Sequence, residues 1–509
     1  MRGLRAIAAG VLVSLVIAAC AQPESGTSTT TSSRPGTTNT TEISDANDLA
    51  EPTYAVVDTG QSDCYDAAGA TIACPDEGEA FFGQDGSYPG NEPAYLDNGD
   101  GTVTDLTTGL MWQQDPGDKM TYDDAVAFAA SFDLAGYDDW RLPSIKELYS
   151  LIDFAGTDPS GCETADGCEA VPFIDTDYFA FAYGDTSAGE RLIDSQFLSS
   201  TRNVSTTMRG DETVIGVNFA DGRIKGYPVA DPRGGEKEFF VLLVRANPDY
   251  GTNEFASNPD GTVTDAATGL MWQQADDGVA REWEESLAYC EALELGGHGD
   301  WRLPDVKELQ SIVDYGRSPD TSDSAAIAPI FGVSTITSEA GGVDYPFYWS
   351  STTHANMRSG DAGSYVSFGR AWGYMGGSWL DVHGAGAQRS DPKSGDPANF
   401  PQGRGPQGDA IRIYNYARCV RGGVGGETLT GGEIDRFTAP GPVQPGADTD
   451  QPGGAPRTPP QEAIDACGGA SEGDACEINA PHGIVTGTCR LIEGLLACVP
   501  AGGPPGGGN

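Results

Sequence analysis

Gly101-Thr-Val-Thr-Asp-Leu-Thr-Thr-Gly-Leu-Met-Trp-Gln-Gln114 recurs as Gly261-Thr-Val-Thr-Asp-Ala-Ala-Thr-Gly-Leu-Met-Trp-Gln-Gln274, with twelve of fourteen positions identical. Downstream, Asp139-Trp-Arg-Leu-Pro-Ser-Ile-Lys-Glu-Leu-Tyr-Ser-Leu-Ile-Asp153 recurs as Asp300-Trp-Arg-Leu-Pro-Asp-Val-Lys-Glu-Leu-Gln-Ser-Ile-Val-Asp314, with ten of fifteen identical. Phe197-Leu-Ser-Ser-Thr201 answers Tyr348-Trp-Ser-Ser-Thr352, and both units close on Val-Arg, at 244–245 and 420–421. A period near 160 residues is too long for a solenoid repeat, so the middle of the chain is two tandem globular units, 94–247 and 254–423.

The local physics of a unit is legible. Asp100-Gly101 and Asp260-Gly261 are tight-turn pairs next to β-prone Thr-Val-Thr. Ala125, Val126, Phe128, Ala129 and Phe132 form a helical stripe. Ser144 with Glu147, and Asp305 with Glu308, have capping-box spacing, which predicts a second helix with Leu148, Leu151 and Ile152 turned inward. The rest of each unit is Gly-rich with short β-prone runs. The fold class expected is α+β: two early helices and a loop-rich antiparallel sheet per unit, plus a small disulfide-rich C-terminal module.

These strings, with the closing Arg418-Cys-Val-Arg421, resemble the Lcl C-terminal domain family, named for the adhesin end of a collagen-like surface protein. The resemblance spans about 320 residues. It implies an extracellular fold like that of C-type lectins and, for the name-giving member, binding to glycosaminoglycans and other surface polymers. The charge departs from that. The chain carries 29 Lys and Arg against 75 Asp and Glu, net −46. Residues 95–246 hold 27 acidic against 11 basic residues, and 255–422 hold 22 against 12. Long-range attraction of sulfated polyanions is disfavoured, and nucleic acid is excluded as a partner.

Outside the units the chain reads as address and tether. Arg2 and Arg5 precede a 14-residue apolar core, Ala6 to Ala19, too short to span a bilayer. Ala18-Ala19-Cys20 resembles a bacterial lipobox, which implies residues 1–19 as signal peptide and a lipid on Cys20 as the membrane partner; an ordinary signal peptide is the alternative. Ala21 rather than Asp after the cysteine points to the outer membrane or cell surface. Residues 20–52 are a Ser/Thr-rich disordered tether, 53–93 a disulfide hairpin prefix, 424–462 a Gly/Pro linker, 464–500 a four-cysteine module and 501–509 a disordered tail.

Setting Cys20 aside leaves ten cysteines in an exported protein, which favours disulfides. Cys64 and Cys74 flank a hairpin, and Cys162 and Cys168 close a short loop. Cys290 and Cys419 are both present in the second unit, while the first has Ala129 and Leu243 at those positions. Paired gain or loss is what a bond requires, and this one would close a loop worth ~5 kcal/mol in the chain-entropy model. Cys467, Cys476, Cys489 and Cys498 allow three pairings, with a zinc site as the rival reading.

Trp112, Trp140, Trp272 and Trp301 repeat and read as core. Trp349, Arg370, Trp372, Tyr374 and Trp379 do not repeat and sit in or near a Gly-rich stretch, which makes them candidate ligand-binding residues; packing under a loop is the equal alternative. Asp97, Asp100 and Asp105 have the oxygen chemistry for calcium, but turn roles account for them, so no cofactor is expected. Four histidines without metal spacing, and no Gly-x-Ser-x-Gly elbow, give no catalytic constellation. The expected function is a surface-anchored, non-enzymatic binding or adhesion lipoprotein with a glycan or other extracellular polymer as ligand. A structural envelope protein is the alternative, and an extracellular hydrolase the third reading.

Overall fold

The computed structural model describes residues 52–165, 167–230 and 234–423, and within the C-terminal module 466–467, 470–471, 475–480, 483–492 and 495–500. The expected lipidation at Cys20, the tether, the 424–462 linker and the 501–509 tail lie outside the described residues.

The first repeat opens with three short strands, β1 (Tyr95–Asp97), β2 (Thr102–Asp105) and β3 (Met111–Gln113). Gly101 holds φ at +89° in the turn before β2, and Gly261 holds +86° in the second repeat, which explains why Asp-Gly recurs there. Helices α1 (Tyr122–Ala129) and α2 (Ile145–Ser150) follow. Strands β4 (Gln196–Thr207), β5 (Asp211–Asn218), β6 (Arg223–Pro228) and β7 (Val244–Arg245) complete the repeat. The second repeat runs β8 (Phe255–Ser257), β9 (Thr262–Asp265), β10 (Leu270–Gln273), α3 (Trp283–Glu291) and α4 (Val306–Ser311). It continues through β11 (Phe347–Thr353), β12 (Ala362–Ser367), the hairpin β13 (Trp372–Met375) and β14 (Ser378–Asp381), β15 (Gln388–Pro392) and β16 (Val420–Gly422). The architecture is α+β and β-rich, with antiparallel strand pairing throughout the named sheets.

The recurring motif residues are the joints of each repeat. Both capping boxes form, at Ser144 with Glu147 and at Asp305 with Glu308. Glu147 also takes Arg141 of the same motif, and Glu308 takes Arg302. Trp140 and Trp301 each donate their indole N–H to the carbonyl six residues earlier. The closing arginines return to the opening aspartates, Arg245 to Asp139 and Arg421 to Asp300. The Ser-Ser-Thr strings dock the second helix: Thr201 accepts from the Ile145 N–H and Thr352 from the Val306 N–H. Leu148, Leu151 and Ile152 are buried as expected, but Val126 of the proposed α1 stripe is 44% exposed. At eight residues the helix is short, and Ala125 and Ala129 alone seat it fully.

The two repeats share one sheet. Its strand order is β11-β12-β15-β6-β5-β4, so the second repeat's three strands mirror the first's about the β15–β6 seam. The paired residues at that seam, Gln388 and Ile224, are equivalent positions: each lies opposite its repeat's own Val366 or Val217. Antiparallel pairing of equivalent strands is what a two-fold axis between the copies produces. α2 and α4 meet beside the same axis, and one apolar core runs through both repeats, including Trp112, Leu148, Ile224, Trp272 and Leu309.

Disulfides join Cys64 to Cys74, Cys162 to Cys168 and Cys290 to Cys419, with Cα separations of 5.0, 6.2 and 5.4 Å. In the C-terminal module, a three-stranded antiparallel sheet of Ala475–Ala480, Gly483–Ile492 and Leu495–Pro500 carries a Cys467–Cys489 bridge. The Cys467, Cys476 and Cys489 sulfurs lie close enough to share a metal, but all three are disulfide-bonded, which removes the thiolates a zinc site needs. The side chain of Cys498 lies outside the described residues.

Candidate functional site

A groove of about 950 Å³ lies across the β6–β15 seam and takes its walls from both repeats. Alternation along β6 places Arg223 and Lys225 on this face, and β15 adds Arg389. The first repeat also supplies Asp158 and Asp221, and the second His354, His383 and Asp409.

The floor is a network of neutralised charge. Arg223 reaches Asp158 at 2.7 Å, and Lys225 reaches Asp221 at 2.7 Å. Arg389 pairs with Asp409, whose other oxygen lies 2.9 Å from His383 Nε2. Burial alone would raise the Asp409 carboxyl, but Arg389 and His383 hold it well below the usual carboxylate range. Burial lowers His383 to about 4, and burial with the Arg223 charge lowers His354 to about 4, so both rings are neutral at pH 7. Burial likewise brings Lys225 down to about 8 against the pull of Asp221. Among the described residues several buried polar atoms behind these walls have no hydrogen-bond partner: His383 Nδ1, Arg389 Nε and Nη1, and Asp221 Oδ1.

The rim is different. Seven Lys or Arg line the groove against four Asp, and the excess sits at the edge. Arg358 and Arg404 are exposed there, and neither forms an ion pair among the described residues. In a chain of net −46, a groove with surplus cation is a local reversal of sign.

Of the residues singled out from sequence, Cys162 and Cys168 line this groove, and the candidate ligand-binding residues fall around it. Trp349 does not belong to a ligand platform: it is fully buried on β11, its indole N–H bonds the Arg281 carbonyl, and it packs with Tyr365. Trp372, Tyr374 and Trp379 are half-buried on the β13–β14 hairpin, where Tyr374 and Trp379 face each other across the strands. That hairpin supports the 404–409 turn, through Tyr374 N–H to the Gly408 carbonyl and a bridge between Gly373 and Asp409. The turn's other side lines the groove. Arg370 is held by Asp320 at 2.6 Å and packs over Trp372, whose indole bonds Asp344. Asp97, Asp100 and Asp105 are turn residues: their carboxylates accept from Gly99, from Thr102, and from Thr107 and Thr108 respectively. Among the described residues they do not converge on a common point where a cation would sit.

The model of the Lcl C-terminal domain family matches residues 101–245 and 261–381, together just over half of the chain. The chain belongs to the Lcl C-terminal domain family. The second match ends with the last residue of β14, before β15 begins at Gln388, so the family pattern covers β6 on one side of the seam and stops short of β15 on the other. No curated protein and no solved structure matches the chain. Among the described residues no helix is long and apolar enough to cross a membrane.

Proposed function

We propose that this member of the Lcl C-terminal domain family is a surface-anchored, non-enzymatic binding protein whose ligand seat is the groove across the repeat seam. The observation that carries the reading is the unpaired positive rim, Arg358 and Arg404, above a wall of Arg, Lys, His and Asp side chains from both repeats. Such a wall suits a polyhydroxylated ligand, and the rim suits carboxylates along it. The ligand is therefore an acidic glycan or a comparable extracellular polymer, captured at short range although the net charge gives no long-range attraction. The lectin-like fold, the Cys20 lipid and the outer-membrane or cell-surface location belong to the same proposal and rest on the family resemblance and the lipobox.

The test is a glycan and polymer array with the full-length protein and its Arg358→Glu, Arg404→Glu double variant. Both residues are exposed, so folding is preserved. Acidic glycans should bind, and the double variant should lose at least about tenfold, as expected for like charges placed against a ligand. Binding that ignores the double change sinks the groove assignment. An array without any ligand favours the structural envelope reading.

A further inference from the structure

The segments that precede the two repeats cross over. Residues 53–93, which precede the first repeat, lie on the second. Thr53 and Tyr54 donate to the Ala267 carbonyl, and Lys307 of α4 donates to the Asp58 carbonyl. Residues 248–253, which precede the second repeat, lie on the first, where Lys146 of α2 donates to the Gly251 carbonyl and to Asn253. Lys146 and Lys307 are equivalent motif positions, so the two segments play the same part. They differ in length: one has some forty residues and the other fewer than ten.

The long segment fills its seat. The Phe154 N–H donates to the Thr59 carbonyl at 2.7 Å. The Gln61 side-chain amide pairs with Thr353 as a strand would, accepting from its N–H and donating to its carbonyl, both at 2.8 Å. Thr352 donates to Asp85. As a result Ser351, Thr352 and Thr353, at the edge of the shared sheet, are all buried.

The short segment cannot do this. At the equivalent place in the first repeat is an open cavity of about 590 Å³, lined by Arg141, Glu147, Thr201, Asn253 and Tyr315 among others. Tyr315 answers Phe154, and Ser200, Thr201 and Arg202 answer Ser351, Thr352 and Thr353. Ser200 and Arg202 are exposed and Thr201 is half-buried. Among the described residues no segment lies over them. The outer edge of β4 thus presents the same backbone and the same threonine that the prefix covers on β11, with room beside them.

We propose that this cavity is a docking seat for an extended peptide that adds along the edge of β4, with the chemistry of residues 59–62, the part of the prefix for which residues 248–253 have no counterpart: small, uncharged, and carrying a glutamine or asparagine amide to pair with the backbone of Arg202. The occupant is a peptide segment of another protein. The pseudo-symmetric seat supplies the template, because the same chain shows which contacts such a segment makes. This seat is distinct from the seam groove, and neither assignment depends on the other.

The probe is a fluorescent, end-blocked peptide of residues 59–62, titrated into the full-length protein and followed by anisotropy. Saturable binding is expected. A peptide with Gln61→Ala should bind at least about tenfold more weakly, since it loses the paired amide contacts. Ser200→Trp and, separately, Thr252→Trp place bulk into the seat from exposed positions and should each abolish binding. Absence of saturable binding, or binding that both tryptophans leave intact, overturns the proposal. Self-association of the unliganded protein that Ser200→Trp abolishes also overturns it, and assigns the seat to a second copy.

Discussion

The two repeats agree inside and disagree at their edges. Trp112 and Trp272 are both fully buried and pair across their strands with Val244 and Val420. The Asp–Arg and Arg–Glu joints recur in both. The second repeat adds the Cys290–Cys419 bridge, the hairpin of β13 and β14 and the cover provided by the prefix, while the first adds the Cys162–Cys168 loop. In the first repeat the turn from β5 to β6 is only 219–222, where the second inserts its hairpin between β12 and β15. Repetition marks what the scaffold requires, and divergence marks where surfaces were adapted.

The sharpest way to break this comparison is to remove the repeated core. Trp112→Ala and Trp272→Ala should each cost ~3–5 kcal/mol, the usual loss for a buried tryptophan. Because one apolar core spans the seam, both changes should lower a single unfolding transition, measured by calorimetry or chemical denaturation. Two separate transitions, only one of which responds to each variant, would show that the repeats are thermodynamically independent and that the shared sheet contributes little.

The next effect lies in a difference between the repeats. Cys290 sits on α3 and Cys419 just before β16, and their bond closes a separation of 129 residues. The first repeat holds Ala129 and Leu243 at those places, 8% and 0% exposed. Cys290→Ala with Cys419→Leu should therefore cost ~2–4 kcal/mol from the lost cross-link, partly offset by the added apolar volume. Either single replacement should be worse in yield, because it leaves a buried thiol free to mispair. Denaturant midpoints and soluble yield for the three variants settle the order, and a double variant worse than both singles would contradict it.

Much of the scaffold was legible in sequence because it depends on local chemistry. The capping boxes, the turn glycines and the inward leucines of α2 follow from spacing alone. Cys290 with Cys419 was legible because the two copies act as an internal control. The groove was not. Arg223 and Arg389 carry no shared motif, and they meet only because β6 pairs with β15 across the seam, a contact between distant parts of the chain. For Trp349 the spacing leaves ligand binding and packing level, and packing is what the structure shows: every residue of β11 is buried, with prefix residues covering its outer edge at Thr352 and Thr353. The partial exposure of Val126 also follows from length, since a two-turn helix offers a single buried ridge.

An effect confined to one range of pH separates the covered sheet edge from the open one. Asp85 of the prefix is buried and accepts hydrogen bonds from Thr59 and Thr352, whereas among the described residues Thr201 of the first repeat donates to no such carboxylate. Burial pushes Asp85 up to about 7, with the charge of Asp58 adding to the shift and the two threonine hydroxyls opposing it; Glu308 contributes in the same direction as Asp58. An unfolded aspartate titrates near ~3.9. Between these values the folded chain retains a proton that the unfolded chain has released. The stability from this site is therefore complete below the unfolded value and is lost as pH rises through about 7. Asp85→Asn keeps an oxygen for both threonines and never ionises. It should match the wild type at pH 4 and exceed it at pH 8 in Tm, the gap widening by about 1.4 kcal/mol per pH unit between the two values. Since every other carboxylate titrates equally in both proteins, the difference between the two Tm–pH curves isolates Asp85. Parallel curves would mean that the prefix stays seated without regard to this charge, with Gln61 holding the edge of β11.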